Sequence, residues 1–254
     1  MLKLQDVTVR LGGRVILNEF NLDVNAGSVA AIMGPSGCGK STALKSILRL
    51  VEPEAGTVSW MGNNILRMDD MALERFRAGV GFVFQRSNLI SRLSAVSNVM
   101  LPMVAAGMHT NNARSLAMKA LEKVGMSQCA EYGVEGLSGG EMQRVAIARA
   151  IAAHPRLVLW DEPTASLDPT LVVDVLTLIE SLVRCLDATM VVVTHEAGFA
   201  LRVADQLVFM ESGTVVEKGC PYALLSDPKS DVGRRYARAL AYTSPVVKEI
   251  RRAL

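Results

Sequence analysis

Nine consecutive residues, Gly34-Pro35-Ser36-Gly37-Cys38-Gly39-Lys40-Ser41-Thr42, spell G-x-x-x-x-G-K-[ST], the pattern of a loop that wraps a polyphosphate. Each residue type has its own reason to be there. Glycines at 34, 37 and 39 permit backbone angles and close approaches that a Cβ would forbid. The N–H groups they expose, with the N-terminus of a following helix, make an anion site. Lys40 can reach the β- and γ-phosphates, and the Ser41 hydroxyl can ligate Mg²⁺. Such a loop must be fed by a strand and followed by a helix. Val29-Ala30-Ala31-Ile32-Met33 is an apolar run of strand length, and Ala43 to Leu48 carries apolar residues at helical spacing. The ligand this arrangement predicts is a nucleoside triphosphate.

Two further stretches complement the loop. Leu157-Val158-Leu159-Trp160 reads as a buried strand that ends in Asp161-Glu162. Neighbouring strand residues point opposite ways, so the two carboxylates can take different tasks. Asp161 fits a Mg²⁺ role, direct or through a second shell, and Glu162 fits the general base for an attacking water. Leu137-Ser138-Gly139-Gly140-Glu141 leads into the helical run Met142 to Ala150. Ser138 can cap a helix that starts near Gly140, and the paired glycines leave N–H groups open. This predicts a second anion site at a second helix N-terminus.

The elements that must hold these residues can be read from periodicity. Residues 1 to 31 alternate between apolar and polar, with turn signals at Gly12-Gly13 and Asn25-Ala26-Gly27, as antiparallel strands do. Pro53 to Gly56 reads as a turn, and Thr57 to Asn64 as a strand entering a hairpin. Met71 to Arg77 suggests a short helix, and Val80 to Gln85 a short apolar strand. From Arg86 to Ala153 the pattern is helical, over 98–106, 112–124 and 140–153, with Asn111-Asn112 offered as a cap. Strand signals return at 157–160, 190–193 and 206–210, with a helix over Thr170 to Cys185. Strands alternating with helices predict a mainly parallel α/β sheet into which the helical stretch is inserted.

Composition narrows the function classes. The 254 residues are half hydrophobic and carry a net charge of +2, which argues against a polyelectrolyte binder of nucleic acid. The first residues alternate like a strand and show no secretory signal. No window supplies the ~18 apolar residues of a membrane span. Cys38, Cys129, Cys185 and Cys220 match neither a metal spacing nor a disulfide framework, so reduced thiols in a cytoplasmic compartment are expected. Cys38 lies in the phosphate loop, which predicts inhibition by thiol alkylation and protection by ATP. The basic residues of the tail, Arg234, Arg235, Arg238, Lys248, Arg251 and Arg252, read as a solvated face on short helices.

Taken together, Leu137 to Glu141 and the run that follows resemble the signature of the ATP-binding cassette (ABC) ATPases. Gln85 resembles that family's Q-loop glutamine, Ser166-Leu167-Asp168 its D-loop, and His195 its switch histidine. The resemblance covers nearly the whole chain. It implies a P-loop NTPase core, RecA-like with a mainly parallel sheet, an N-terminal antiparallel β subdomain and a helical insertion. Within one ABC ATPase domain, 1–254, residues 1–86 and 154–225 would form the nucleotide-binding core. Residues 87–153 would form the helical signature subdomain and 226–254 a helical tail. The ligands implied are ATP and Mg²⁺, with Ser41, Gln85 and Asp161 as metal ligands. Two copies are expected to pair head to tail, each ATP lying between Gly34–Thr42 of one and Ser138, Gly139 and Gly140 of the other. Asp168 would link the two sites, His195 would contact the γ-phosphate, and Glu162 would activate water.

Two residues depart from the commoner pattern. Leu11 stands where many relatives have an aromatic residue against adenine, and Glu141 stands where glutamine is commoner. The reading that follows is the energy-coupling ATPase of a membrane transporter on the cytoplasmic face of the inner or plasma membrane. Transmembrane permease subunits would be its partners, with a solute-binding protein reached indirectly and no nucleic acid. Apolar residues at 88–90 and 99–103 are expected to offer the permease surface. Thr194 to Ala200 with Val203-Ala204-Asp205 is similar to importers of polar amino acids. Leu101-Pro102-Met103 and Glu141 are similar to lipoprotein-releasing or macrolide-exporting cassettes, which is the alternative. A soluble non-transport cassette is a third reading, and a kinase or GTPase has no use for the signature.

Overall fold

The computed structural model describes residues 1–243, with side chains through residue 241. The chain divides into two compact units, one of Met1–Met68 with the residues from Val191 onward, the other of Asp69–Met190.

The first unit opens with β1 (Leu2–Leu11) and β2 (Arg14–Val24), then β3 (Val29–Met33), α1 (Lys40–Ile47), β4 (Ala55–Trp60) and β5 (Asn63–Asn64). β1 and β2 form a hairpin through Gly12-Gly13, and the antiparallel sheet has the order β2-β1-β4-β5. Its inward face, Leu2, Leu4, Val7, Val9, Leu17, Phe20 and Leu22, is fully buried. The period of two slips between Leu4 and Val7, where Asp6 has φ 53° and the register shifts. Asn21 holds that bulge, since its side-chain oxygen accepts from the Asp6 N–H at 3.1 Å and its amide donates to the Asp6 carboxylate at 3.0 Å. β4 begins at Ala55, inside the stretch expected to be a turn; ladder pairing of Ala55 with Thr8 extends the strand.

The second unit contains α2 (Asp70–Ala78), β6 (Val80–Val83), α3 (Ala95–Ala105), α4 (Thr110–Lys123), α5 (Gly139–Ile151), β7 (Leu157–Asp161) and α6 (Pro169–Cys185). β6 and β7 pair in parallel, from Val80 with Leu157 to Val83 with Trp160. α3, α4 and α5 pack on one another, and α5 also packs on β6. The approach is so close that a Cβ on Gly81 would lie 2.4 Å from the Ala150 carbonyl. α4 is not capped by Asn111 or Asn112. Its cap is His109, whose backbone is extended and whose Nδ1 accepts from the Asn111 N–H, so both asparagines lie inside the first turn.

β8 (Thr189–Val193) leads back to the first unit, which continues with α7 (Ala197–Val203), β9 (Gln206–Glu211), β10 (Thr214–Gly219), α8 (Pro221–Ser226) and α9 (Asp231–Thr243). β3 pairs in parallel with β9, which pairs antiparallel with β10. β10 and α7 lie where periodicity gave no signal. Every residue of β3 is buried, as a strand covered on both faces requires. Ala31, Met33, Leu207 and Phe209 share a core with Leu225 of α8 and with Val232 and Leu240 of α9. The tail helix is therefore part of the packing beneath the phosphate loop, although Lys248, Arg251 and Arg252 lie outside the described residues. Among the described residues, no helix is long and apolar enough to cross a membrane.

Candidate nucleotide site

In the first unit the buried strand β3 delivers the chain into Gly34, and α1 begins at Lys40. The glycines here are sterically demanded at two positions. A Cβ on Gly34 would lie 2.2 Å from the Met210 carbonyl oxygen. Gly39 has φ 105°, and its Cβ would meet the Ile16 carbonyl at 2.7 Å. Pro35, Ser36 and Gly37 form the outer part of the loop, and Ser41 and Thr42 stand half-buried in the first turn of α1. Lys40 is buried, and its ammonium donates to the carbonyls of Gly34 at 3.0 Å and Pro35 at 3.1 Å. The α1 N-terminus has no acidic residue in its first turn and, among the described residues, no side-chain cap.

Cys38 is a buried thiol at this turn, less accessible to a reagent than the exposed Cys185 and Cys220. Leu11, at the end of β1, pairs with Arg14 across the hairpin and is 47% exposed. His195 follows β8, and its Nδ1 lies 2.9 Å from the hydroxyl of Tyr236. That hydroxyl in turn donates to the Gly34 carbonyl at 3.0 Å. Tyr236 belongs to α9, so the fold ties His195 to Gly34 through a residue that no motif contains.

The second unit holds the remaining predicted residues. Asp161 ends β7 and is only 4% exposed, whereas Glu162 is half-buried with φ 46°. The backbone turns left-handed at Glu162, a costlier conformation than a continued strand. Gln85 is exposed just beyond β6, and its carbonyl accepts a hydrogen bond from the Ser166 hydroxyl at 3.1 Å. Arg149 of α5 donates to the carbonyls of Ser87 at 2.7 Å and Asn88 at 2.8 Å. Burial lowers the pKa of its guanidinium. Asn98 of α3 fixes the next residues, accepting from the Ile90 N–H at 2.7 Å and donating to the Ile90 carbonyl at 3.1 Å. The segment after Gln85 is thus held by the signature helix, by α3 and by the loop before α6. Arg149 and Asn98 carry these contacts without any spacing that marks them beforehand. Asp168 is exposed; its backbone is the cap of α6, while Pro169 takes the first helical position.

Ser138 caps α5 as expected, but in a reciprocal arrangement. Its hydroxyl oxygen accepts from the Glu141 N–H at 3.4 Å, while Glu141 Oε2 accepts from the Ser138 N–H at 2.8 Å and hydroxyl at 2.7 Å. The Ser138 hydroxyl, then its N–H, hold the Glu141 carboxyl below the ordinary carboxylate range. Gly139 is exposed and Gly140 buried, with a Cβ at Gly140 placed 3.2 Å from Leu171.

Of the apolar residues expected to face a permease, Val99 and Met103 are instead buried in the unit's own core. Leu101 remains exposed at 40%, as does its neighbour Val104, outside the expected stretch, at 39%. Next to them a cavity of about 590 Å³ opens, lined by Met71, Arg75, Ala78, Pro102, Ala105 and Ala106 among others.

The ABC transporter family model matches residues 17–165, a span that runs from β2 through the phosphate loop and signature to the loop after Glu162. This chain belongs to the ABC transporter family. Its relatives include the glutamate transport ATP-binding protein GluA of Corynebacterium efficiens, 45% identical over 85% of this chain and 88% of that protein. The arginine/ornithine transport ATP-binding protein AotP of Pseudomonas aeruginosa is 42% identical over 91% of this chain and 94% of that protein. Among solved structures, the dimeric post-hydrolysis state of the ATP-binding cassette MJ0796, bound to ADP and Pi, is 35% identical. It has a TM-score of 0.78 and covers 87% of this chain and 99% of that one. The ABC protein described here is an ATP-binding ATPase with the P-loop NTPase fold.

Proposed function

We propose that this ABC ATPase is the energy-coupling subunit of a membrane transporter that imports polar amino acids. The observation that carries the reading is near-full-length similarity to the glutamate and arginine/ornithine transport proteins. It favours import over the lipoprotein-release or macrolide-export alternative. In this reading the protein works at the cytoplasmic face of the membrane, bound to permease subunits, with a solute-binding protein acting from the other side. The exposed Leu101 and the cavity beside Pro102 offer a surface for a permease segment. Residues 87–153 act as the signature subdomain and 226–254 as the tail of one ATPase domain.

The site residues take the following roles. Gly34 to Thr42 wraps the phosphates of ATP, with Lys40 exchanging loop carbonyls for phosphate oxygens. Leu11 gives the adenine an apolar contact. Ser138, Gly139 and Gly140 of a second copy complete the site, and Asp168 links the pair. The solved structure of MJ0796 is likewise dimeric. Glu162 accepts a proton from the attacking water, Gln85 orients that water, and His195 holds the geometry. The donors suit Mg²⁺: a serine hydroxyl at 41, an amide oxygen at 85 and a buried carboxylate at 161 are hard oxygens. Those side chains would hold the ion. When bound, Mg²⁺ would neutralise charge on the phosphates.

Two experiments test the reading at separate levels. Glu162→Gln is expected to bind ATP, form a stable dimer and lose at least ~100-fold in hydrolysis. Turnover at the wild-type rate would remove Glu162 as the base. Deleting the gene should abolish high-affinity uptake of a labelled polar amino acid, from a panel that includes glutamate and arginine. Unchanged uptake across that panel would sink the cargo assignment and leave the ATPase assignment standing.

A further inference from the structure

Tyr236 lies outside every nucleotide-site motif, yet its hydroxyl stands between two nucleotide-site residues. It is 2.9 Å from His195 Nδ1 and 3.0 Å from the Gly34 carbonyl oxygen. Its ring stacks on Phe209 of β9, with centroids 5.8 Å apart and planes 15° apart, and lies 6.4 Å from the His195 ring at 27°. α9 is seated on the core of Ala31, Met33 and Phe209 through Val232 and Leu240. Packing, and not the hydrogen bonds alone, thus sets where the hydroxyl is.

Proton bookkeeping then decides what each atom does. A phenol carries one O–H, and a carbonyl oxygen can only accept. The 3.0 Å approach to Gly34 is favourable only with the Tyr236 proton on that line. If the proton turned toward His195, two oxygens would face each other with lone pairs alone. The same Gly34 oxygen also accepts from Lys40 at 3.0 Å, which uses its second lone pair. With its proton committed to Gly34, the Tyr236 oxygen accepts, and the donor must be N–H at His195 Nδ1. This hydrogen-bond network assigns the tautomer: in the neutral ring, the Nε2 nitrogen carries a lone pair in place of a hydrogen.

We propose that Tyr236 is a positioning residue that holds neutral His195 as its Nδ1–H tautomer and joins that ring to the carbonyl that also holds Lys40. The inference rests on the reading of His195 as a nucleotide-site residue. Two consequences follow. Neutral His195 presents Nε2 as an acceptor, suited to a hydrogen of water, and donates there to a phosphate oxygen only when the ring is doubly protonated. A polyphosphate that draws Lys40 off Gly34 also leaves that carbonyl as a stronger acceptor for Tyr236, so loop occupancy is felt at the histidine.

The test is the nitrogen-15 NMR spectrum of the full-length protein at about pH 8.5, where an ordinary imidazole is neutral. The chain has three histidines, and His195→Gln identifies the signal of interest. The wild type is expected to show the Nδ1–H pattern at His195. Tyr236→Phe keeps the ring on Phe209 and removes only the hydroxyl, and it is expected to move His195 toward the Nε2–H form. The wild-type protein showing Nε2–H, or an unchanged pattern in Tyr236→Phe, would overturn the proposal. In steady-state hydrolysis Tyr236→Phe should lower kcat about fivefold with KM nearly constant. A KM rise alone would count against positioning. If His195→Ala hydrolysed ATP normally while the tautomer result held, the catalytic reading of His195 would fail and the assignment of Tyr236 would stand.

Discussion

The two helix N-termini that bear the sequence's anion-site signals, α1 and α5, solve the same problem in opposite ways. Glycines precede α1 and form the first turn of α5, and both termini present N–H groups with the positive end of a helix dipole. At α1 the cap residue is Gly39 in a left-handed conformation, the first turn holds no carboxylate, and a lysine stands inside the loop. At α5 the cap is Ser138, and Glu141 returns its carboxylate to that residue's N–H and hydroxyl. One terminus has no acidic residue in its first turn. The other already carries its own. Similar sequence signals, glycines at a helix start, therefore conceal a difference in what a phosphate must displace.

The difference can be broken most severely at α1. Lys40→Ala removes the cation from the loop and is expected to weaken binding of a fluorescent ATP analogue by about a hundredfold or more. Affinity within threefold of the wild type would refute the loop's role as the primary site. Gly39→Ala should come next, since the left-handed backbone and the Ile16 carbonyl at 2.7 Å oppose a Cβ. A loss of ~1–3 kcal/mol in chemical unfolding is expected, with binding reduced in the fraction that folds.

Changes at α5 should be milder and separable. Ser138→Ala removes the cap and should cost ~1 kcal/mol, read as a shift in the denaturation midpoint. Glu141→Gln keeps an acceptor and removes the charge. In a Glu162→Gln background it should tighten ATP-dependent dimerisation about two- to fivefold, because a phosphate reaching Ser138 no longer meets a carboxylate. Weaker dimerisation would mean that the carboxylate orders the terminus more than it repels. The pH dependence gives the smallest signal. Hydrogen bonds from Ser138 depress the Glu141 pKa, so its stabilisation is present above the unfolded carboxylate range and is lost as pH falls through the folded value. The stability gap between wild type and Glu141→Gln should therefore hold at neutral pH and close in acid.

The comparison also shows which features a sequence can announce. The phosphate loop, the strand ending in Asp161 and the cap at Ser138 were legible because each is a local pattern, in which neighbours along the chain dictate the backbone. The helix cap at His109 was not, since two asparagines offered a more ordinary choice two and three residues onward. Nor was the left-handed turn at Glu162, where the sequence shows only a strand's end. The apolar run 99–103 could not be divided into core and surface until α3 had neighbours. Packing of α3 against α4 and α5 then buried Val99 and Met103 and left Leu101 outside.

Sequence by itself determined the family, the order of the motifs and most strands and helices. These rest on composition and on periods of two and of about 3.6 residues, which short segments carry without help. Only the tertiary structure decided how the functional residues are held. Tyr236 is 41 residues from His195 and 202 from Gly34, and Arg149 is 62 from Ser87. Hydrogen bonds across such separations have no period and no spacing, because packing of distant elements alone brings their atoms within 3 Å or so.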